Sequence, residues 1–131
     1  MKKVEKVLLY HFQDREKLRA IQSVLSSLHI VVEELPEDSY EQKVGFLLGA
    51  GGFSPAKDSD DQDPFVFPFE VMVYYNIRKK RLSEVMDSLR KANIPSVRFK
   101  AVVTPFNMFW SLRRLCETMQ KEHAAIKNED E

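Results

Sequence analysis

A single cysteine, Cys116, in 131 residues excludes an internal disulfide, and its place in an apolar helical pattern reads as a small buried hydrophobe in a reducing compartment. Long apolar runs are missing as well. The longest, such as Val7 to Tyr10, hold four residues or so against the ~20 that span a bilayer, so neither a transmembrane helix nor membrane association is expected. The basic start Met1-Lys2-Lys3 is followed by Glu5, Lys6 and His11 with no small-residue cleavage site, so no secretory signal is expected and the protein reads as cytoplasmic.

Catalytic signatures are equally scarce. There is no Gly-x-Ser-x-Gly, His-Glu-x-x-His or Cys-x-x-Cys, and His11, His29 and His123 fall in separate elements. All four glycines lie between Gly45 and Gly52, after a helical pattern and before an acidic stretch, which suits helix termination and a hinge rather than a phosphate loop. Asp58, Asp60 and Gln62 alternate like calcium ligands but lack the central glycine and the closing glutamate. No metal and no cofactor is expected, and enzymatic activity is the third choice among functions.

Net charge is also absent, with 20 Lys+Arg against 20 Asp+Glu, but this zero is a cancellation. Residues 33–63 hold two lysines against nine acids, and residues 78–121 hold eleven basic residues against three acids. Such polarity speaks to partners and fields rather than to fold. What is present, 44% hydrophobic and 31% charged residues, is the composition of one soluble domain over 1–131. A mobile acidic loop at about 53–64 and a frayed tail at about 125–131 are expected.

Periodicity supplies the elements. Val4 to Tyr10 predicts a strand, Asp14 a helix cap, and Leu18, Ile21, Val24, Leu25 and Leu28 an amphipathic helix. Ile30-Val31-Val32 reads as a second strand, and Asp38 or Ser39 caps a short helix to Leu48 that Gly49 stops. Phe65, Phe67 and Phe69 lead into a third strand, Glu70 to Tyr75, and Leu82, Val85, Met86 and Leu89 define a helix ended by Asn93 and Pro95. Val97 to Val103 alternates as a fourth strand, and Thr104-Pro105-Phe106-Asn107 opens a long last helix carrying Phe109, Trp110, Leu112, Leu115, Cys116 and Met119.

A shift of 64 residues lays Val7-Leu8-Leu9-Tyr10 on Val71-Met72-Val73-Tyr74, Leu18 on Leu82, Ile21 on Val85, Leu25 on Leu89 and Ile30 on Ile94. Two βαβ repeats predict an α+β, ferredoxin-like sheet of four antiparallel strands in the order 4-1-3-2, with an inserted short helix and a long C-terminal helix; a doubly wound parallel sheet is the alternative. Strands one and three are apolar on both sides, so the C-terminal helix or a second subunit should cover the second face.

In that topology the connections after strands three and four leave the sheet at one end, which gathers Arg78, Lys79, Lys80, Arg81, Lys100, Thr104 and Asn107 as anion-binding candidates. The function expected is a non-catalytic binding or regulatory module for an anionic small molecule or acidic protein. The alternative is a self-associating or partner-binding domain, a homodimer for example, with Phe106, Phe109 and Trp110 as its aromatic surface. Nucleic acid is not expected, since the Gly-Phe/Tyr-Gly/Ala-Phe-Val strand motif is missing.

Lys100-Ala101-Val102-Val103-Thr104-Pro105-Phe106-Asn107, followed by Trp110 and the Glu122-His123 pair, resembles a family of small bacterial proteins catalogued as domain of unknown function 3783. Leu9-Tyr10-His11-Phe12 and Phe67-Pro68-Phe69-Glu70 extend the likeness. The resemblance implies a bacterial cytosolic protein and points to Lys100, Thr104, Pro105, Asn107 and Trp110 without assigning them an activity. Phe106 and the acidic insertion at 58–63 depart from the pattern.

Overall fold

Strand β1 (Lys6–Tyr10) ends where His11 turns left-handed at φ 65°, and Asp14 then caps helix α1 (Arg15–Ser27), its carboxylate accepting from the Lys17 N–H at 3.1 Å. These features come from a computed structural model that describes residues 4–56 and 65–129, the last six by backbone alone. The expectations for the acidic run at 57–64 and for residues 130–131 lie outside the described residues. The chain divides into two compact units, one of residues 1–35 with 69–102 and one of residues 36–68 with 103–131.

The first unit holds β1, α1, β2 (Val31–Glu34), β3 (Val71–Tyr75), α3 (Lys79–Lys91) and β4 (Phe99–Val102). The amphipathic pattern decides which face each helix buries. Leu18, Ile21 and Leu25 of α1 and Val85 of α3 pack on Val7 and Leu9 of β1 and on Met72 and Tyr74 of β3, forming one core. Leu8, Tyr10, Val71 and Val73 point to the opposite face and are buried too.

Both helices stop in the same way. His29 and Asn93 are left-handed at φ 62° and 60°; the Ile30 and Ile94 N–H groups donate back to Leu25 and Leu89 at 3.0 and 3.2 Å, and those of His29 and Asn93 donate to Ser26 and Arg90. Each is a Schellman closure, and all four apolar residues, Leu25, Ile30, Leu89 and Ile94, belong to or pack against the one core.

The sheet corrects the expected topology. Its order is β2-β1-β3-β4, with β1 parallel to β2, β3 parallel to β4, and an antiparallel β1–β3 junction centred on Leu8 and Val73. It is therefore mixed, neither the antiparallel 4-1-3-2 arrangement nor a doubly wound parallel sheet. Strand directions are those that two βαβ units impose, but each unit closes on its neighbour instead of interleaving with the other. Charge pairs accompany that arrangement: Lys6 meets Glu33 at 2.9 Å across β1 and β2, and at the start of α1 the Arg15 guanidinium forks onto Glu34 of β2 at 2.6 and 3.0 Å. Pairing raises the Arg15 pKa and lowers that of Glu34.

The expected strand superposition is also one residue out. Val7 faces the helices whereas Val71 faces away, so the strands correspond at a shift of 65, Val7 with Met72 and Leu9 with Tyr74, while helices and caps correspond at 64. A slip of one residue exchanges the two faces of a strand.

The second unit holds a 3-10 turn at Glu37–Glu41, helix α2 (Val44–Leu47), a second 3-10 turn at Asn107–Phe109 and helix α4 (Leu112–Glu129). Two helices expected to be continuous are broken here for one shared reason. Lys43 bridges to Ser111, the Val44 N–H donates to the Trp110 carbonyl and the Leu112 N–H to the Gln42 carbonyl, both at 2.9 Å, which pulls Gln42 and Trp110 into extended conformation. Ser111, accepting from the Arg114 N–H at 3.1 Å, thus caps α4 in place of Thr104. Phe53 lies against Gly45, where any Cβ would strike its ring, and against Phe109 at 5.3 Å between ring centroids. Tyr40 and Phe65 stack at 4.9 Å with the Arg113 guanidinium 5.6 Å from the Phe65 centroid.

Candidate functional site

The seven anion-binding candidates do not share one surroundings. Arg78 stands at the N-cap of α3 without a side-chain cap bond, followed by Lys79 and Lys80, both exposed in the first turn. Cations at a helix start are disfavoured by ~0.3–1 kcal/mol each. Arg81 overcomes this by pairing: it reaches the Glu5 carboxylate at 3.2 Å, Glu84 at 3.0 Å and the Leu28 carbonyl, and Glu5 and then Glu84 raise its pKa. Arg81 is thereby a tether between α3, the residue before β1 and the end of α1.

In the second unit, Thr104 and Asn107 satisfy each other. The Thr104 hydroxyl accepts from the Phe106 and Asn107 N–H groups at 3.2 and 3.0 Å, and Asn107 Oδ1 accepts from the Thr104 N–H at 2.8 Å. Donors expected to face an anion are spent within the turn. Phe106 and Phe109 are exposed at 79% and 61%, and Trp110 lies under the Arg114 guanidinium, 4.3 Å from the ring centroid. Cys116 is fully buried; burial first, and then Glu117, push its thiol up to about 12, so it carries no thiolate at neutral pH.

Lys100 is placed differently. β4 alternates, with Phe99 and Ala101 buried and Lys100 on the helix-facing side opposite Met72. There it borders a cavity of about 280 Å³ within the first unit, between α3, β3 and the connection to β4. Met72 and Tyr74 line it from the strand, Met86 and Leu89 from the helix, Ile94, Pro95, Ser96 and Val97 from the connection, and Ile21 from α1. Two cations, Lys100 and Arg90, complete the lining, and no carboxylate is among these residues. Arg90 is exposed and touches Asp87 at 3.2 Å. Lys100 has neither an ion-pair nor a hydrogen-bond partner among the described residues.

The two halves of the unit differ where the cavity lies. At the faces that correspond, Leu9 of β1 is matched by Tyr74, Val32 of β2 by Lys100 and Ser26 of α1 by Arg90. From the Schellman closure to the next strand, the first half needs only Ile30, whereas the second inserts four further residues, Pro95 to Arg98. Pro95, Ser96 and Val97 of that insertion line the cavity beside Ile94. Sequence reasoning missed Arg90 and the cavity, yet a signal was present: the 64-residue correspondence holds through Ile94 and fails directly after it.

Lys17 and Glu70 form a further pair at the β3 start, 2.9 Å apart, with the Lys17 ammonium also 3.4 Å from the Ser96 carbonyl behind the cavity wall. Arg98 lies over the Phe69 ring, 5.5 Å from its centroid, and leaves Lys100 as the cation of β4 that meets the cavity.

No curated protein and no solved structure matches the chain. Residues 70–126 match the model of a family described as Domain of unknown function (DUF3783), so the chain resembles that family over a stretch holding β3, α3, β4 and every cavity residue except Ile21.

Proposed function

We propose that the protein is a non-catalytic binding module whose ligand is a small anion with an apolar body, seated in the cavity under α3 with its charge against Lys100. The single observation that carries this reading is an ammonium with no partner among the described residues at the rim of an apolar cavity. A solvated surface lysine needs no cavity, and a cavity left by imperfect packing needs no cation; together they match an apolar acid. At about 280 Å³ the space sits just below the ~300–1,000 Å³ of drug-sized sites, which favours a small metabolite over a nucleotide. Arg78, Lys79 and Lys80 remain a secondary, steering field at the other end of α3 from the cavity's Leu89 and Arg90.

Thermal denaturation of the full chain with octanoate, 4-phenylbutyrate, their neutral amides and inorganic phosphate tests the proposal. The acids should raise the melting temperature in a concentration-dependent manner and the amides and phosphate should not. Equal shifts with amides, or a shift with phosphate alone, would remove the cavity from the account.

A further inference from the structure

Resting on that reading of the cavity, we infer that the ligand carries, besides its acid group, a hydrogen-bond acceptor on its apolar body that the Tyr74 hydroxyl recognises. Tyr74 is 1% exposed and lines the cavity with Met72. Its hydroxyl donates to the Met72 sulfur at 3.6 Å. A thioether is a weak acceptor, and buried tyrosine hydroxyls ordinarily find an oxygen or nitrogen. Burial also raises the Tyr74 pKa, so the group stays a neutral donor over the physiological range.

The core itself does not call for this hydroxyl. The corresponding residue of the first half is Leu9, fully buried and aliphatic on the same face of the sheet. The second half therefore replaces an apolar side chain by one with a polar tip at the place where it also replaces Val32 by Lys100. Both substitutions fall on the helix-facing side, on the neighbouring strands β3 and β4, and both side chains line the one cavity. One supplies a charge for an acid, the other a donor for a carbonyl, ether or ring nitrogen. An acceptor of that kind would draw the hydroxyl away from sulfur to a stronger partner, while Met72, flexible and polarizable, adapts to the ligand body.

Calorimetric titration of the full chain with octanoate and with a series of octanoates bearing one ketone at successive carbons tests this. At least one isomer should bind about tenfold tighter than octanoate itself, the worth of one buried hydrogen bond. Tyr74→Phe should abolish that gain, and a cooperative thermal unfolding transition reports that the variant is folded. Met72→Leu, which removes the competing sulfur, should enlarge the gain. Octanoate binding with no ketone preference, or a preference that survives Tyr74→Phe, overturns the inference and leaves the cavity reading intact. Failure of every acid to bind overturns both.

Discussion

Lys100→Glu should weaken binding of an apolar acid at least a hundredfold while leaving the melting temperature of the ligand-free chain almost unchanged. The substitution replaces attraction by repulsion at the cavity rim, and at an effective dielectric near ~20 a contact at ~4 Å is worth ~4 kcal/mol for each sign. Even after screening by solvent, part of that swing exceeds two powers of ten in affinity. Stability should hold because Lys100 is exposed and pairs with no described residue. Lys100→Met, which keeps an apolar stem, should weaken binding by about tenfold. Charge reversal at Lys79 and Lys80 should change affinity by no more than about twofold, because both lie in the first turn of α3 and neither lines the cavity. Calorimetric titration reads all three. If the Lys79 and Lys80 reversals abolish binding and Lys100→Glu does not, the anion site belongs at the start of α3.

The second large effect concerns packing, and it uses the correspondence between the halves. Leu25 and Leu89 occupy the same place in α1 and α3, each accepting the final Schellman bond from Ile30 or Ile94. Leu25 is fully buried in the core, whereas Leu89 is partly buried and lines the cavity. Leu25→Ala should cost about 3 kcal/mol, since it removes transfer free energy and opens a void in close-packed surroundings. Leu89→Ala should cost about 1 kcal/mol, because its side chain already borders open space and its loss merely widens it. Urea midpoints at unchanged slope would measure the difference. Equal losses at the two positions would mean that the wall at Leu89 is packed as tightly as the core at Leu25.

Much of the local structure was legible because local chemistry determines it. Asp14 caps α1, Asn93 and Gly49 end their helices, and the periodic apolar positions Leu18, Ile21, Leu25 and Val85 are the ones buried. Topology was less legible because two βαβ units fix strand directions but not whether the strands interleave. Lys6–Glu33 joins β2 to β1 and Arg15–Glu34 joins β2 to the start of α1, and nothing in their sequence spacing announces either partner. Strand register failed for a related reason: Val7 to Tyr10 and Val71 to Tyr74 are apolar at every position, so either face could have been the inner one. The breaks at Gln42 and Trp110 come from hydrogen bonds between segments about seventy residues apart, which override local helical preference.

The candidate site was legible in one residue only. Lys100 is one of seven anion-binding candidates in the sequence, grouped there with the basic run at 78–81 and the Thr104 turn. Arg81 proved to be committed to Glu5, Glu84 and Leu28, and Thr104 and Asn107 to each other. Lys100's cavity neighbours, Met86, Leu89, Ile94 and Val97, read in the sequence as ordinary core positions, because periodicity reports which face is apolar and not how fully that face is filled.

The cavity reading is tested most directly by following backbone amide and methionine methyl resonances of the isotopically labelled full chain during titration with an apolar acid. Saturable shifts at Met72, Met86 and residues 89–100, reaching a plateau and absent in Lys100→Glu, are the predicted result. Shifts confined to residues 78–81 or to Phe106 and Phe109, or no saturable shift at any acid, would contradict it.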